Sequence, residues 1–286
     1  NQNKVWTMKL DTKTIIDIAQ DPGLHRKPNI FKPKKLPINI PKFHWKADKP
    51  DSRDYKYVPT LVKTENIVDL RQYCSPIEDQ GFLGSCTGQA IAGAIELLNK
   101  RNNNYKDISR LFIYYFERAM IGTINYDSGA YIRDGIKSCF YNGASLESLW
   151  PYNISKFKIK PNPQAINDGL KRKVTRYERV QNHEGCLDAL SNGYPVVVGF
   201  NVYSSFVSAQ VSRTGVMPYP DTKKESLLGG HAVLLVGYNK QQSRYIVRNS
   251  WGPYWGDKGY FYMPFDVIKN TQMSSDFWII KTVNNP

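Results

Sequence analysis

Residues 80–98 read QGFLGSCTGQAIAGAIELL. A glycine-bearing loop runs into a segment whose apolar residues Ile91, Ala94, Ile95 and Leu98 recur at helical spacing, so a helix starts near Ser85. Cys86 then falls in its first turn. A thiol there meets unpaired backbone N–H groups and the positive end of the helix dipole, and both favour the thiolate, the reactive form. A free cysteine is just as commonly a small buried hydrophobe. Position alone does not decide between nucleophile and core residue.

Working outward, the same reading predicts a second helix over Ser109–Met120, with Leu111, Phe112, Tyr115 and Phe116 inward. A third follows Ser128 and carries Ile132 and Ile136, and a short fourth covers Glu184–Leu190. Past that point the pattern changes. Pro195–Val202, His231–Tyr238, Arg244–Asn249, Gly259–Met263 and Phe277–Val283 read as short strands separated by Gly, Pro and Asn turns. Helices first and strands second predict an α+β chain of two facing subdomains, with a cleft between them as the place for a site.

The strand half supplies partners for the thiol. GGHAVLLVGY (229–238) and YIVRNSW (245–251) are joined by NKQQS (239–243). A hairpin centred on Lys240 would set His231 opposite Asn249, Val233 opposite Val247 and Leu235 opposite Tyr245, all on one face. Directly paired Cβ atoms lie about 5 Å apart. An asparagine there can accept the proton of one ring nitrogen, fixing the tautomer and aiming the other nitrogen outward. That is the orienting role in a nucleophile–base–orienter set. The bland alternative is a core histidine satisfied by an amide, and one residue more or less in the turn would split the pair onto opposite faces.

Composition bounds the rest. The 286 residues and 32.8 kDa make one large domain or two modest ones. With 41% hydrophobic and 22% charged residues, wholesale disorder is excluded. No run of eighteen apolar residues offers a transmembrane helix, and the polar opening NQNK leaves a signal peptide either absent or already cut off. The formal charge of +14 raises nucleic acid, anionic surfaces or acidic partners as candidates. Of the 39 Lys and Arg, 14 lie in residues 1–65, against 7 of the 25 Asp and Glu, so half the excess sits in under a quarter of the chain. There Pro22, Pro28, Pro33, Pro37, Pro41, Pro50 and Pro59 forbid helix interiors and central strands. Residues 1–65 therefore read as a basic, proline-rich arm, docked or solvated, and 66–286 as the catalytic domain. Asp11-Thr12 can cap a short helix over Thr14–Ala19 within the arm.

With Cys86 free, Cys74, Cys139 and Cys186 allow at most one bridge within the chain. No CxxC, HxxxH or HExxH spacing is present, and His25, His44 and His183 stand alone, so neither a metal nor another cofactor is expected.

Three blocks, VDLRQYCSPIEDQGFLGSCTGQAIAGAIE (68–96), GGHAVLLVGY and YIVRNSWGPYWGDKGYFYM (245–263), stand in the order Cys, His, Asn, with 145 residues between Cys86 and His231. In motif, order and spacing the chain resembles the papain-like (C1) cysteine peptidases. The KADKPDSRDYKY stretch (46–57) is similar to that of bacterial members. The likeness runs from about Trp45 to Val283. It implies a papain-like fold, with a helical half, an antiparallel barrel-like half and the active-site cleft between. It implies Cys86 as nucleophile, His231 as base and then acid, Asn249 as its orienter, and Gln80 as an oxyanion donor beside the Cys86 backbone N–H. Such donors typically lower a barrier by about 3 kcal/mol each. It implies Trp251 as a cover over the His231–Asn249 bond, and Gly129 as a backbone partner of bound peptide. Gly84 and Ser85 beside the nucleophile, and Gly199 and Gly230 near a roomy second-subsite wall, complete the substrate-binding set it implies.

Departures are as specific. Thr87 stands where the family has Trp. Leu83 and the YDSG stretch (126–129) stand where it has the two ends of a disulfide. Both ends are missing together, so packing has to hold the cleft loops.

The resemblance implies an endo- or exopeptidase acting on peptide or protein substrates. An isopeptidase or acyltransferase would keep the site and change the acceptor or the bond. A non-enzymatic binding protein on the same scaffold is opposed by the intact Cys, His, Asn and Gln positions. Phe31, Phe43, Trp45, Tyr55 and Tyr57 among the lysines allow stacking on nucleic acid, yet no nucleic-acid motif accompanies them, and no specific nucleic acid is expected. Propeptides of the family cross the cleft, so part of residues 1–44, anchored by Trp6 and the Thr14–Ala19 helix, is expected on or near it. Family tendency and the sequon Asn153-Ile154-Ser155 point to a secreted or extracytoplasmic protein.

Overall fold

Fourteen of the sixteen residues of Cys86–Arg101 (α1) are buried, so this helix is a central post rather than a surface element. The computed structural model describes residues 43–60, 63–284 and 286. The expectations for Trp6 and for a helix over Thr14–Ala19 lie outside these residues.

Two further helices pack beside α1. Arg110–Met120 (α2) is capped by the Ser109 hydroxyl, which accepts from the Phe112 N–H at 3.1 Å. It buries Leu111, Phe112 and Tyr115, with Phe116 half-buried. Ile132–Tyr141 (α3) buries Ile132 and Ile136. Shorter helices follow at Pro163–Gly169 (α4), His183–Ser191 (α5), Ala209–Thr214 (α6) and Phe265–Lys269 (α7).

The strand half is a seven-stranded antiparallel sheet. Numbering from the short strands Trp45–Lys46 (β1), Ile67–Asp69 (β2) and Ala130–Tyr131 (β3), the longer strands are Val174–Val180 (β4), Val196–Tyr203 (β5), Leu227–Asn239 (β6), Arg244–Arg248 (β7), Tyr260–Pro264 (β8) and Ser274–Val283 (β9). Their order is β4-β9-β5-β6-β7-β8, with β2 beside β6. One core runs from Ile91, Ile95 and Leu98 of α1 to Val197, Leu235, Val247 and Ile279 of the sheet. A smaller cluster of Leu111, Phe112, Tyr114 and Trp150 lies within the helical half. The architecture is the α+β arrangement expected, a helical part against an antiparallel sheet. No helix among the described residues is long and apolar enough to cross a membrane.

The hairpin register needs correction. Near the turn Tyr238 pairs with Tyr245, and beyond it Leu235 pairs with Val247. His231 is thus not opposite Asn249; its partner across the neighbouring strand is Phe200. The turn is longer than a Lys240-centred one, and alone it would have thrown the pair onto opposite faces. A bulge at Val236, between Leu235 and Gly237, adds one residue to β6 and restores the parity. His231 and Asn249 therefore share a face and meet diagonally.

Part of the stretch read as an arm is built into this body. β1 lies parallel to β3, with Trp45 beside Ala130. Just after it, the Asp48 N–H donates to Asp276 at 2.8 Å, and its carboxylate accepts from Trp278 Nε1 at 2.9 Å and from Arg179 at 3.3 Å. Tyr57 is buried and donates to Asp188 at 2.5 Å. Of the aromatic residues considered for stacking on nucleic acid, Phe43, Trp45 and Tyr57 pack on the core, whereas Tyr55 is exposed.

Candidate active site

Cys86 opens α1, and three backbone N–H groups, those of Ala232, His44 and Thr87, favour its sulfur as a thiolate. Ala232 directly follows His231, so the sulfur lies beside the histidine strand, one residue past His231. The thiol is fully buried, and burial pushes it up to about 11.

His231 Nε2 lies 2.8 Å from Asn249 Oδ1. An amide oxygen only accepts, so Nε2 carries the proton and Nδ1 the free lone pair. Nδ1 has no hydrogen-bond partner among the described residues. Trp251 stacks on the imidazole at 4.9 Å and 26°, with Phe200 at 5.9 Å on another side. Burial in this cage holds His231 down at about 4, against the opposing pull of its bond to Asn249.

Gln80 is fully buried and held from both halves. Its backbone N–H donates to the Ser250 carbonyl at 2.9 Å, its Oε1 accepts from the Ser250 hydroxyl at 2.7 Å, and its Nε2 donates to the Leu83 carbonyl at 2.9 Å. One amide hydrogen of Nε2 remains for another acceptor. Gln80 is thus locked to the residue after Asn249, which ties the loop before Cys86 to the segment that carries Asn249.

The glycines singled out in the sequence converge on one occupant, Phe43–Trp45. A Cβ on Gly129, whose φ is +66°, would fall 1.7 Å from the His44 carbonyl oxygen. On Gly84 it would fall 2.5 Å from His44 Nδ1, and on Gly199 and Gly230 it would fall 2.0 and 2.5 Å from the Trp45 ring. The missing side chains at 199 and 230 are therefore the space that the indole fills. Phe43 closes the other end, 6.1 Å from His231 and 5.8 Å from Trp251. Ser85 is different. Its buried hydroxyl pairs with Tyr152 at 2.6 Å and accepts from Gln89 at 3.3 Å, so it turns inward rather than toward the segment.

All four cysteines are free and buried. Where the resemblance put a disulfide, polar contacts stand instead. Asp127 Oδ1 accepts from the Gly84 N–H at 3.0 Å and from the Tyr114 hydroxyl at 2.5 Å, and that hydroxyl accepts from the Gly129 N–H at 3.2 Å. The buried Arg118 donates to the Ile124 and Tyr126 carbonyls at 2.7 and 3.2 Å, and to that of Phe157. Sequence reasoning missed Tyr114, Arg118 and Asp127. No local pattern marks them, because these partners lie outside their own elements, at separations from 6 to 43 residues.

A thiol at a helix start against the strand of an imidazole held by an amide, on a helical part joined to an antiparallel sheet, has the parts that a cysteine peptidase needs. Comparison with known proteins agrees. The family described as papain family cysteine protease matches residues 64–280. An uncharacterized peptidase C1-like protein of Acanthamoeba polyphaga mimivirus is 40% identical over 242 residues, which is 81% of this chain and 77% of the relative. Cysteine proteinase 3 of Entamoeba histolytica is 31% identical over 205 residues, covering 70% of this chain and 62% of its own length. Among solved structures, xylellain, a cysteine protease from Xylella fastidiosa, superposes with a TM-score of 0.79 at 39% identity, over 85% of this chain and 96% of that one. The chain belongs to the papain family of cysteine proteases.

Proposed function

We propose that this protein is a peptidase of the bacterial type within that family, hydrolysing peptide bonds through a Cys86 acyl-enzyme. His231 takes the thiol proton through Nδ1 and returns it to the leaving amine. Asn249 fixes the imidazole, and the free Nε2 hydrogen of Gln80 joins the Cys86 backbone N–H as oxyanion donors. The observation that carries this reading is the 2.8 Å bond from His231 to Asn249, which leaves Nδ1 unpartnered, one residue before the Ala232 N–H that favours the Cys86 sulfur.

Phe43–Trp45 restrains this machinery in two ways. Trp45 fills the slot left by Gly199 and Gly230, so a peptide cannot enter it. The segment also keeps water from the pair. With the thiol raised to about 11 and the imidazole lowered to about 4, both by burial, the covered site rests as neutral thiol and neutral imidazole, not as the reactive ion pair. The His44 N–H favours the sulfur as an acceptor, so the segment lies directly over the nucleophile. Xylellain at 39% identity and the KADKPDSRDYKY stretch support the bacterial-type assignment.

Turnover of a fluorogenic peptide by the full chain and by Trp45→Ala tests the proposal. Activity that rises in Trp45→Ala and vanishes when Cys86→Ala is added supports it. Turnover that survives Cys86→Ala would reject it.

A further inference from the structure

A buried acid beneath the nucleophile belongs to none of the roles above. Glu117 on α2 is fully buried, and its Oε1 accepts from the Thr87 hydroxyl at 2.5 Å. Oε2 has no hydrogen-bond partner among the described residues. Thr87 directly follows Cys86, and the Gly88 N–H also stabilises the Glu117 carboxylate. A Cβ on Gly135 of α3 would fall 2.5 Å from Oε2, so α3 comes this close only because residue 135 is glycine.

These contacts complete an account of the first turn of α1. A helix start leaves backbone N–H groups without intrahelical partners, and a side chain at the cap normally takes one. Ser85 holds the cap position but makes no cap hydrogen bond, because its hydroxyl is committed to Tyr152 and Gln89. The Thr87 N–H favours the Cys86 sulfur, and the Gly88 N–H favours Glu117. The Cys86 N–H is the one the proposed chemistry needs.

We infer that Glu117 is a positioning residue, which holds from a neighbouring helix, through the Thr87 hydroxyl, the first turn that Ser85 does not cap, and so fixes the turn bearing Cys86 and its N–H. This rests on the peptidase reading of Cys86.

The charge of Glu117 then matters. Burial pushes its carboxyl up to about 8, against the hydrogen bonds from Thr87 and Gly88 and the nearby Arg118, while Asp134 on α3 pushes it further up. The other titratable groups facing it are the Cys86 thiol on α1 and the Cys139 thiol on α3, both raised by its charge. An uncharged Glu117 caps the turn at neutral pH. Once ionised it opposes the Cys86 thiolate through a dry interior.

The test is the rate of Cys86 alkylation by iodoacetamide in the full chain from pH 6 to 10, read by peptide mapping, with peptide turnover beside it. Glu117→Gln keeps an acceptor for Thr87 and cannot ionise. It is expected to alkylate within about twofold of wild type near pH 7 and to pull ahead of it above pH 8. Glu117→Ala, lacking the acceptor, is expected to lose tenfold or more in kcat with KM within twofold. Wild-type kcat in a folded Glu117→Ala would overturn the positioning role, and superimposable profiles for wild type and Glu117→Gln would overturn the effect of its charge. Turnover in the absence of any Cys86 alkylation would remove the reading of Cys86 as nucleophile and this inference together.

Discussion

On the helical side of the cleft, Cys86 is held by hydrogen bonds that reach across the chain: Asp127 to Gly84, Glu117 to Thr87, and Tyr152 to Ser85. On the sheet side, His231 sits among rings, with Trp251 stacked on it and Phe200 close by. Behind Trp251 stand Phe206 at 5.5 Å and Trp255 at 5.0 Å. One polar bond, to Asn249, then sets its direction. A thiolate needs donors, which here are backbone N–H groups, and the polar side chains of Asp127, Tyr152 and Glu117 hold the loop and turn that carry the thiol. An imidazole that shuttles a proton needs one orientation and little water, and a rigid aromatic cage provides both. Substitutions on the helical side should therefore alter charge and reactivity, and those on the sheet side should alter geometry.

The largest expected effect is at the thiol. Cys86→Ala should lower turnover by on the order of 10⁴-fold or more with circular dichroism unchanged. A residual rate above that level would show that the reactive group lies elsewhere. Gln80→Ala comes next, with kcat down roughly 10²–10³-fold and KM nearly constant. A loss confined to KM would make Gln80 a binding residue.

Asp127→Ala tests the polar clamp that stands in place of a disulfide. It leaves the Gly84 N–H and the Tyr114 hydroxyl short of a partner, a cost of about 1–3 kcal/mol. The unfolding midpoint should fall, while reductant leaves the wild-type midpoint unchanged. A reductant-sensitive midpoint would refute the clamp.

The smallest effect is a titration. His231 is held at about 4 while covered, below its usual 6.5, because burial disfavours the charged ring. A base lowered in this way costs the covered form stability as pH falls from about 6.5 through 4, and costs nothing above. The His231 NMR titration should therefore move upward in Trp45→Ala. Identical titrations in the two proteins would deny that the segment dries the site.

How much of this was legible in the sequence follows from which contacts are local. The start of α1 was readable from Ile91, Ala94, Ile95 and Leu98, and the strand at His231 from its apolar run. The face shared by His231 and Asn249 was also inferred, but for the wrong reason. The bulge at Val236 carries no local mark, and it cancels an error in the turn length. β4 was missed because Val174, Glu178 and Val180 are buried beside exposed Thr175 and Arg176, which gives no clean alternation. α4 was missed although Asn162 and Pro163 carry its start signal, since the helix has only 7 residues. Trp45 stood out among the lysines as an aromatic residue. Its slot is defined by the absence of side chains at Gly199 and Gly230, more than 150 residues away, and composition cannot report that.

The central claim is that Cys86 is the nucleophile and that Phe43–Trp45 covers it. Alkylation by iodoacetamide, mapped over all four cysteines in the full chain and in Trp45→Ala, tests it most directly. Modification is expected at Cys86 alone, slow in the wild type and clearly faster in Trp45→Ala. Modification at Cys74 with Cys86 untouched, or equal rates in the two proteins, would contradict it.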